Sequence, residues 1–230
     1  LSQLSQLGGF IWYDAGFIYY ANFAEHKFQR VDRSTNATQY LDLTGSSRPP
    51  HSAGSQFAIG NGFLYFFATG DTTNPVTVYR LDLSLFSAAG LTSFDLANST
   101  KNFWQKGAVV VGTHLVFTLG SHNVAASSLL YSLDTSSWDT TGGPTTTHID
   151  TYGQPAAAQG ALGRGCTDGA FAYFAPMEAR DSYALWDDTG SKFPASPQTR
   201  LAKVSPGVTG TGDVTWYNIT SITGVTQGSM

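Results

Sequence analysis

Five side chains in this sequence could do chemistry from polar stretches: His26, Asp71, His122, Glu178 and Asp181. They stand in Ala24-Glu25-His26, Gly70-Asp71-Thr72-Thr73-Asn74, Gly120-Ser121-His122-Asn123 and Met177-Glu178-Ala179-Arg180-Asp181. Imidazoles and carboxylates bind metals, orient sugar hydroxyls and move protons near neutral pH. The set fits a polar pocket for a carbohydrate, a peptide or a metal. It fits equally a solvated loop face with no site. In a hydrolase or lyase, Asp71, Glu178 or Asp181 would supply the acids.

More demanding chemistries find no support. No His-x-x-x-His or Cys-x-x-Cys pair is present, so a closed zinc site has no ligand spacing to rest on. No Gly-x-Ser-x-Gly elbow occurs. Gly163-Arg164-Gly165-Cys166 leads into an apolar stretch with a strand pattern, whereas a phosphate loop needs a helix N-terminus. Asp187-Asp188 would alternate sides in an extended chain, which does not suit a shared acid–base task. The single cysteine, Cys166, is expected as a buried, inert thiol in an inner strand. No cofactor is expected.

These residues need elements to hold them. Only 12% of the 230 residues are charged, the net charge is −4, and aromatic residues make up 13%. Abundant Gly, Ser and Thr with many aromatics point to short strands and tight turns. No basic cluster is available to neutralise a run of phosphates, so nucleic acid is not an expected partner. No segment has the roughly 20 apolar residues of a membrane helix, so membrane insertion is not expected. Leu1 to Leu7 has no basic start and no long apolar run, which is not the pattern of a signal peptide. Without an initiating Met, the chain reads as a processed form or part of something longer. Asn36-Ala37-Thr38, Asn98-Ser99-Thr100 and Asn218-Ile219-Thr220 are acceptor triplets for N-glycosylation. Glycans on Asn36, Asn98 and Asn218 would place the protein on a secretory route, outside the cell.

Internal repetition is the strongest signal. Each unit has an apolar strand, a tight turn, an aromatic strand, a variable loop, a strand ending in apolar-Asp, and a last short strand. Phe17-Ile18-Tyr19-Tyr20, Phe63-Leu64-Tyr65-Phe66, His114-Leu115-Val116-Phe117 and Ala170-Phe171-Ala172-Tyr173 belong to the aromatic strands. Tyr19, Tyr65, Phe117 and Tyr173 are expected as equivalent core positions. Asp32, Asp82 and Asp134 recur at intervals of 50 and 52 residues, each followed by a turn-forming segment. Asn61-Gly62 and Asp168-Gly169 both read as short hairpin turns.

Tyr79-Arg80-Leu81-Asp82 and Tyr131-Ser132-Leu133-Asp134, each after an aromatic strand, resemble Kelch-like propeller repeats. Trp138 after Asp134 fits that pattern. Phe17 to Asn22 followed by Arg30-Val31-Asp32 is equally similar to propeller repeats of the NHL or Tyr-Trp-Thr-Asp type. The resemblance implies an all-β fold, a β-propeller of about four recognisable four-stranded blades, either closed on itself or part of a larger propeller. One domain over 1–230 is expected, with blades near 8–50, 51–100, 101–155 and 156–224. In such a fold the five site candidates share one face. Three functions follow as expectations. The first is an extracellular binding or adhesion module for a carbohydrate or protein ligand. The second is a carbohydrate-active hydrolase or lyase at the central mouth. The third is a structural segment of a larger protein.

Overall fold

In the computed structural model, residues 10–22, 27–43, 57–68, 74–97, 103–121, 128–150, 162–176 and 200–218 are described. Sixteen strands form four separate four-stranded antiparallel sheets, each in sequence order. Blade 1 holds β1 (Phe10–Tyr13), β2 (Phe17–Asn22), β3 (Lys27–Asp32) and β4 (Thr38–Asp42). Blade 2 holds β5 (Ala58–Gly60), β6 (Phe63–Ala68), β7 (Thr77–Asp82) and β8 (Leu91–Asp95). Blade 3 holds β9 (Phe103–Val111), β10 (His114–Ser121), β11 (Ser128–Asp134) and β12 (Thr146–Asp150). Blade 4 holds β13 (Leu162–Thr167), β14 (Ala172–Pro176), β15 (Arg200–Val204) and β16 (Val214–Asn218). The fold is all-β and has the form of a partial β-propeller.

Side chains alternate between the faces of a strand, so a blade apolar on both faces must be covered twice. In β6, Phe66 packs with Tyr19 and Phe28 of blade 1, while Tyr65 and Phe67 pack with Leu115 and Phe117 of blade 3. Val116 points the other way, into a cluster with Ala172, Phe174 and Ala202 of blade 4. Three apolar clusters therefore join the blades in series. The inner strands approach closely. A Cβ on Gly107 would stand 2.1 Å from the Gly163 carbonyl oxygen, so only glycine fits between β9 and β13. The buried Thr118 hydroxyl ties this seam, accepting from Gly107 N–H at 3.0 Å and donating to the Leu162 carbonyl at 3.1 Å.

The pairing corrects one alignment from the sequence. Phe17, Phe63 and His114 each face the terminal Asp of the third strand, which makes Val116 the counterpart of Tyr19 and Tyr65. Phe117 lies one residue on and faces the opposite seam, because a slip of one residue reverses a strand's faces. Tyr173 keeps the predicted register and yet is partly exposed, since among the described residues no further blade covers it. Asn61-Gly62 forms the two-residue turn, with φ of 55° and 84°. Asp168-Gly169 instead opens a wider connection, because Thr167 pairs with Ala172.

Phe117 is wholly buried, its ring stacked 5.3 Å from Tyr131 and tilted 5.0 Å from Phe67. Phe117→Ala is expected to cost about 3–5 kcal/mol in urea or guanidinium unfolding. A loss below about 1 kcal/mol would mean that this seam does not hold the blades.

Candidate functional site

The strand order divides the connections between two edges. The first-to-second and third-to-fourth strand turns lie on one edge of every blade. The second-to-third connections and the blade-to-blade links leave from the other.

The turn edge is closed by its own carboxylates. Asp32 Oδ1 accepts from Ser34 N–H at 2.8 Å and from the Ser34 hydroxyl at 2.6 Å. Asp82 does the same with Ser84, at 2.8 and 2.6 Å, and Asp134 with Ser136, at 2.9 and 2.6 Å. The serine two residues on is what makes the Asp into a turn, as an Asx-turn requires. These bonds, led by the serine hydroxyl, hold all three carboxyls below the usual range. A second device serves blades 1 and 4. Tyr19 donates to Asp14 at 2.9 Å, and Tyr173 donates to Asp168 at 2.7 Å. The tyrosine bond, with the Phe171 and Ala170 N–H groups, brings Asp168 down to about 2. Burial, with Asp14 beside it, pushes Tyr19 up to about 12, and the Asp168 bond lifts Tyr173 to about 12. These carboxylates are committed to turns and these phenols stay protonated at neutral pH. Neither makes a general base.

Between blades, arginines lie in aromatic clamps. The Arg30 guanidinium sits 4.4 Å from the centre of Phe17 in its own blade and 4.5 Å from Phe86 of blade 2. It also donates to the Leu83 carbonyl. Arg80 repeats this one blade later, 4.5 Å from Phe63 and 5.0 Å from Trp138, and pairs with Asp139 at 2.6 Å. The sequence shows both arginines two residues before the repeating Asp. Their service to the seam was legible only once Phe86 and Trp138 were placed beside them.

His26, Asp71, His122, Glu178 and Asp181 all fall outside the described residues, on second-to-third connections. Their flanking strand ends, Asn22 and Lys27, Ala68 and Thr77, Ser121 and Ser128, Pro176 and Arg200, belong to the same edge by strand order. Asn36 is exposed in the Asp32 turn at φ 59°. Asn98 falls outside the described residues, and Asn218 ends β16 opposite Arg200. Cys166 overturns its expectation, being exposed. It pairs with Tyr173 on the blade 4 face that no other blade covers among the described residues. Among the described residues no group of three His, Cys, Asp or Glu could hold a metal, and no helix is long and apolar enough to cross a membrane.

Comparison with known proteins supports the architecture. No family profile matches the chain, and no curated protein matches it in sequence. Among solved structures it is similar to a quinohemoprotein alcohol dehydrogenase from Comamonas testosteroni, with TM-score 0.55 and 11% identity, over 90% of this chain and 34% of that one. It is also similar to a europium-containing methanol dehydrogenase, with TM-score 0.51 and 10% identity, over 85% and 39%. A streptogramin B lyase aligns with TM-score 0.49 and 13% identity, over 94% and 70%. The chain spans well under half of either dehydrogenase. The two dehydrogenases are propeller-like and share the fold with this chain.

Two outcomes are expected. A carboxyl held below its unfolded value stabilises the fold above that value and loses this as pH falls through the folded one. The turn carboxyls therefore leave stability flat above the ordinary carboxyl value of 3.8, with decline below it towards about 2, where Asp168 protonates. Urea midpoints followed against pH test this, and an equal decline in Asp168→Asn would remove Asp168 from the account. Arg80→Ala should cost about 2–4 kcal/mol through loss of the desolvated clamp. Asp139→Ala, whose carboxylate is 75% exposed, should cost under about 1 kcal/mol. Equal losses would make the ion pair the dominant bond.

Proposed function

We propose that this protein is an extracellular binding or adhesion module that offers the loop edge of its blades to a carbohydrate or protein ligand. The observation that carries the reading is the division between the edges. On the turn edge, Asp32, Asp82 and Asp134 spend their carboxylates on the serine two residues on. The connections that carry His26, Asp71, His122, Glu178 and Asp181 leave from the opposite edge. Recognition loops on a rigid scaffold follow that plan. Exposure of Asn36 supports passage through a glycosylating compartment, as does its placement in a turn.

A glycan array probed with the purified protein tests the carbohydrate form of this reading. Asp71→Ala with His122→Ala should weaken any bound sugar by about tenfold or more. Asp82→Ala with Ser84→Ala, on the turn edge, should leave it unchanged. The reverse pattern would put the site on the wrong edge.

A further inference from the structure

Asn61-Gly62 fills the turn between β5 and β6, and no other asparagine of the sequence is followed by glycine. Both residues have positive φ, 55° and 84°, and the ladder beside them pairs Gly60 with Phe63. This is the two-residue hairpin turn, which fixes the backbone on either side of the Asn61 carbonyl. Asn61 is exposed, and nothing lies within 4 Å of the point where Gly62 would carry a Cβ. The amide is nevertheless engaged. Its Nδ2 donates to the Gly112 carbonyl at 2.8 Å. Gly112, at φ 57°, begins the turn between β9 and β10. A side-chain bond therefore joins the first turns of blades 2 and 3. Beneath it the first strands of the two blades touch, since a Cβ on Gly60 would overlap the Val110 side chain.

An Asn-Gly pair holds both partners of an intramolecular acyl transfer. The Gly62 nitrogen, once it loses its proton to hydroxide, attacks Asn61 Cγ. The new N–Cγ bond closes a succinimide ring, the Cγ–Nδ2 bond breaks, and the amide nitrogen takes up a proton and leaves as ammonia. Water then opens either carbonyl of the ring. One opening gives aspartate, and the other gives isoaspartate, whose main chain runs through Cβ. No oxidant, metal or second protein is needed. Glycine suits the reaction because it has no Cβ to crowd the ring. Attack requires rotation about the Cα–C and Cα–Cβ bonds of Asn61. The turn holds the first, and the bond to Gly112 holds the second. Asp168-Gly169 has the same spacing without the same chemistry. Asp168 accepts from Ala170 N–H at 2.9 Å, from Phe171 N–H at 2.8 Å and from the Tyr173 hydroxyl at 2.7 Å, which keeps it an ionised carboxylate with no leaving group.

We propose that Asn61 is a self-modifying site that acts as a one-way latch between blades 2 and 3. While the seam is closed, Gly112 holds the amide. When the turn edge opens, the amide swings onto Gly62 and is lost. Aspartate does not restore the bond, because a carboxylate and a carbonyl are both acceptors. Isoaspartate also lengthens the two-residue turn, on which the register of β5 and β6 depends. The site lies on the turn edge, away from the connections offered to a ligand, and needs no ligand to act.

The experiment follows residue 61 by peptide mapping and mass spectrometry, which separate asparagine, aspartate and isoaspartate. The whole chain is incubated in mildly alkaline buffer without urea, in urea below the unfolding midpoint, and fully unfolded. Conversion of Asn61 should rise about tenfold or more from the first condition to the second, because opening the seam exposes surface that urea favours. Asn61→Gln, whose longer side chain closes a less favourable ring, should convert far more slowly in every condition. In Asn61→Asp, hydrogen exchange in β5 and β9 beside the two turns should be about tenfold faster than in the parent chain. An Asn61 that stays intact below the midpoint while the unfolded chain converts overturns the proposal. So does conversion at one rate with and without that urea, since the turn then flexes without the seam. Exchange in Asn61→Asp that matches the parent would remove the Gly112 bond from the seam and the latch with it.

Discussion

A blade of four antiparallel strands cannot bury itself. Each of its strands sends alternate side chains to opposite faces, and here both faces are apolar, so burial depends on the neighbour on either side. β6 shows this most clearly: Leu64, Tyr65, Phe66 and Phe67 are all at most 2% exposed, though they point in alternate directions. Full burial of one such side chain is worth about 1.5–3 kcal/mol. Among the described residues that term is available to blades 2 and 3 on both faces. Tyr173, on the outward side of blade 4, is partly exposed, while Tyr65 at the same register in blade 2 is sealed.

The seams are not identical, and their differences follow from what fills the cation position. Arg30 and Arg80 bring charge into an apolar seam, and each is held by two aromatic faces together with oxygen acceptors. Burial of a guanidinium is tolerable only on such terms. At the seam between blades 3 and 4 the position holds Ser132. Its hydroxyl accepts from Gly207 N–H at 3.0 Å, and the small Val208 replaces the aromatic ring. That seam keeps its apolar cluster without the clamp, and Thr147 donates across it to the Val208 carbonyl. One topology therefore accommodates a desolvated cation or a small polar hydroxyl, provided that the partner turn changes with it.

What could be read from the sequence was what repeats. The Asp at the end of the third strand, the aromatic second strand and the spacing of units gave four blades, because periodic burial leaves a periodic pattern. Register within the third blade was not legible. His114-Leu115-Val116-Phe117 offers apolar residues to both faces, so alternation alone cannot say which is which, and only pairing with Asp134 does. Cys166 failed for a related reason. Its strand looks internal by composition, but its side of blade 4 is exposed among the described residues, and no local signal distinguishes that side from a covered one. The arginine clamps were hidden because each is assembled from residues about 50 positions apart, on two blades. The site candidates rest on connections whose lengths and compositions differ from blade to blade, and repetition carries no information there.

The repeated Asp turn also constrains the seams. Its carboxylate fixes the next residues through serine, and the carbonyl of the same Asp receives the N–H four residues on, which forces that residue to positive φ in blades 1 and 2. Asn36 meets this demand at little cost, since a short amide side chain tolerates the left-handed region. Phe86 does not, and a bulky residue held there costs on the order of 1–3 kcal/mol. The ring lies 4.5 Å from the Arg30 guanidinium and 6.2 Å from the Tyr19 ring, so the seam offsets what the turn demands. Turn and seam in blade 2 are therefore coupled. The Asp sets a backbone that an aromatic residue would otherwise leave, and the cation of the preceding blade makes it favourable to stay. Blade 1 carries the same turn with Asn36, an exposed residue that needs no such partner.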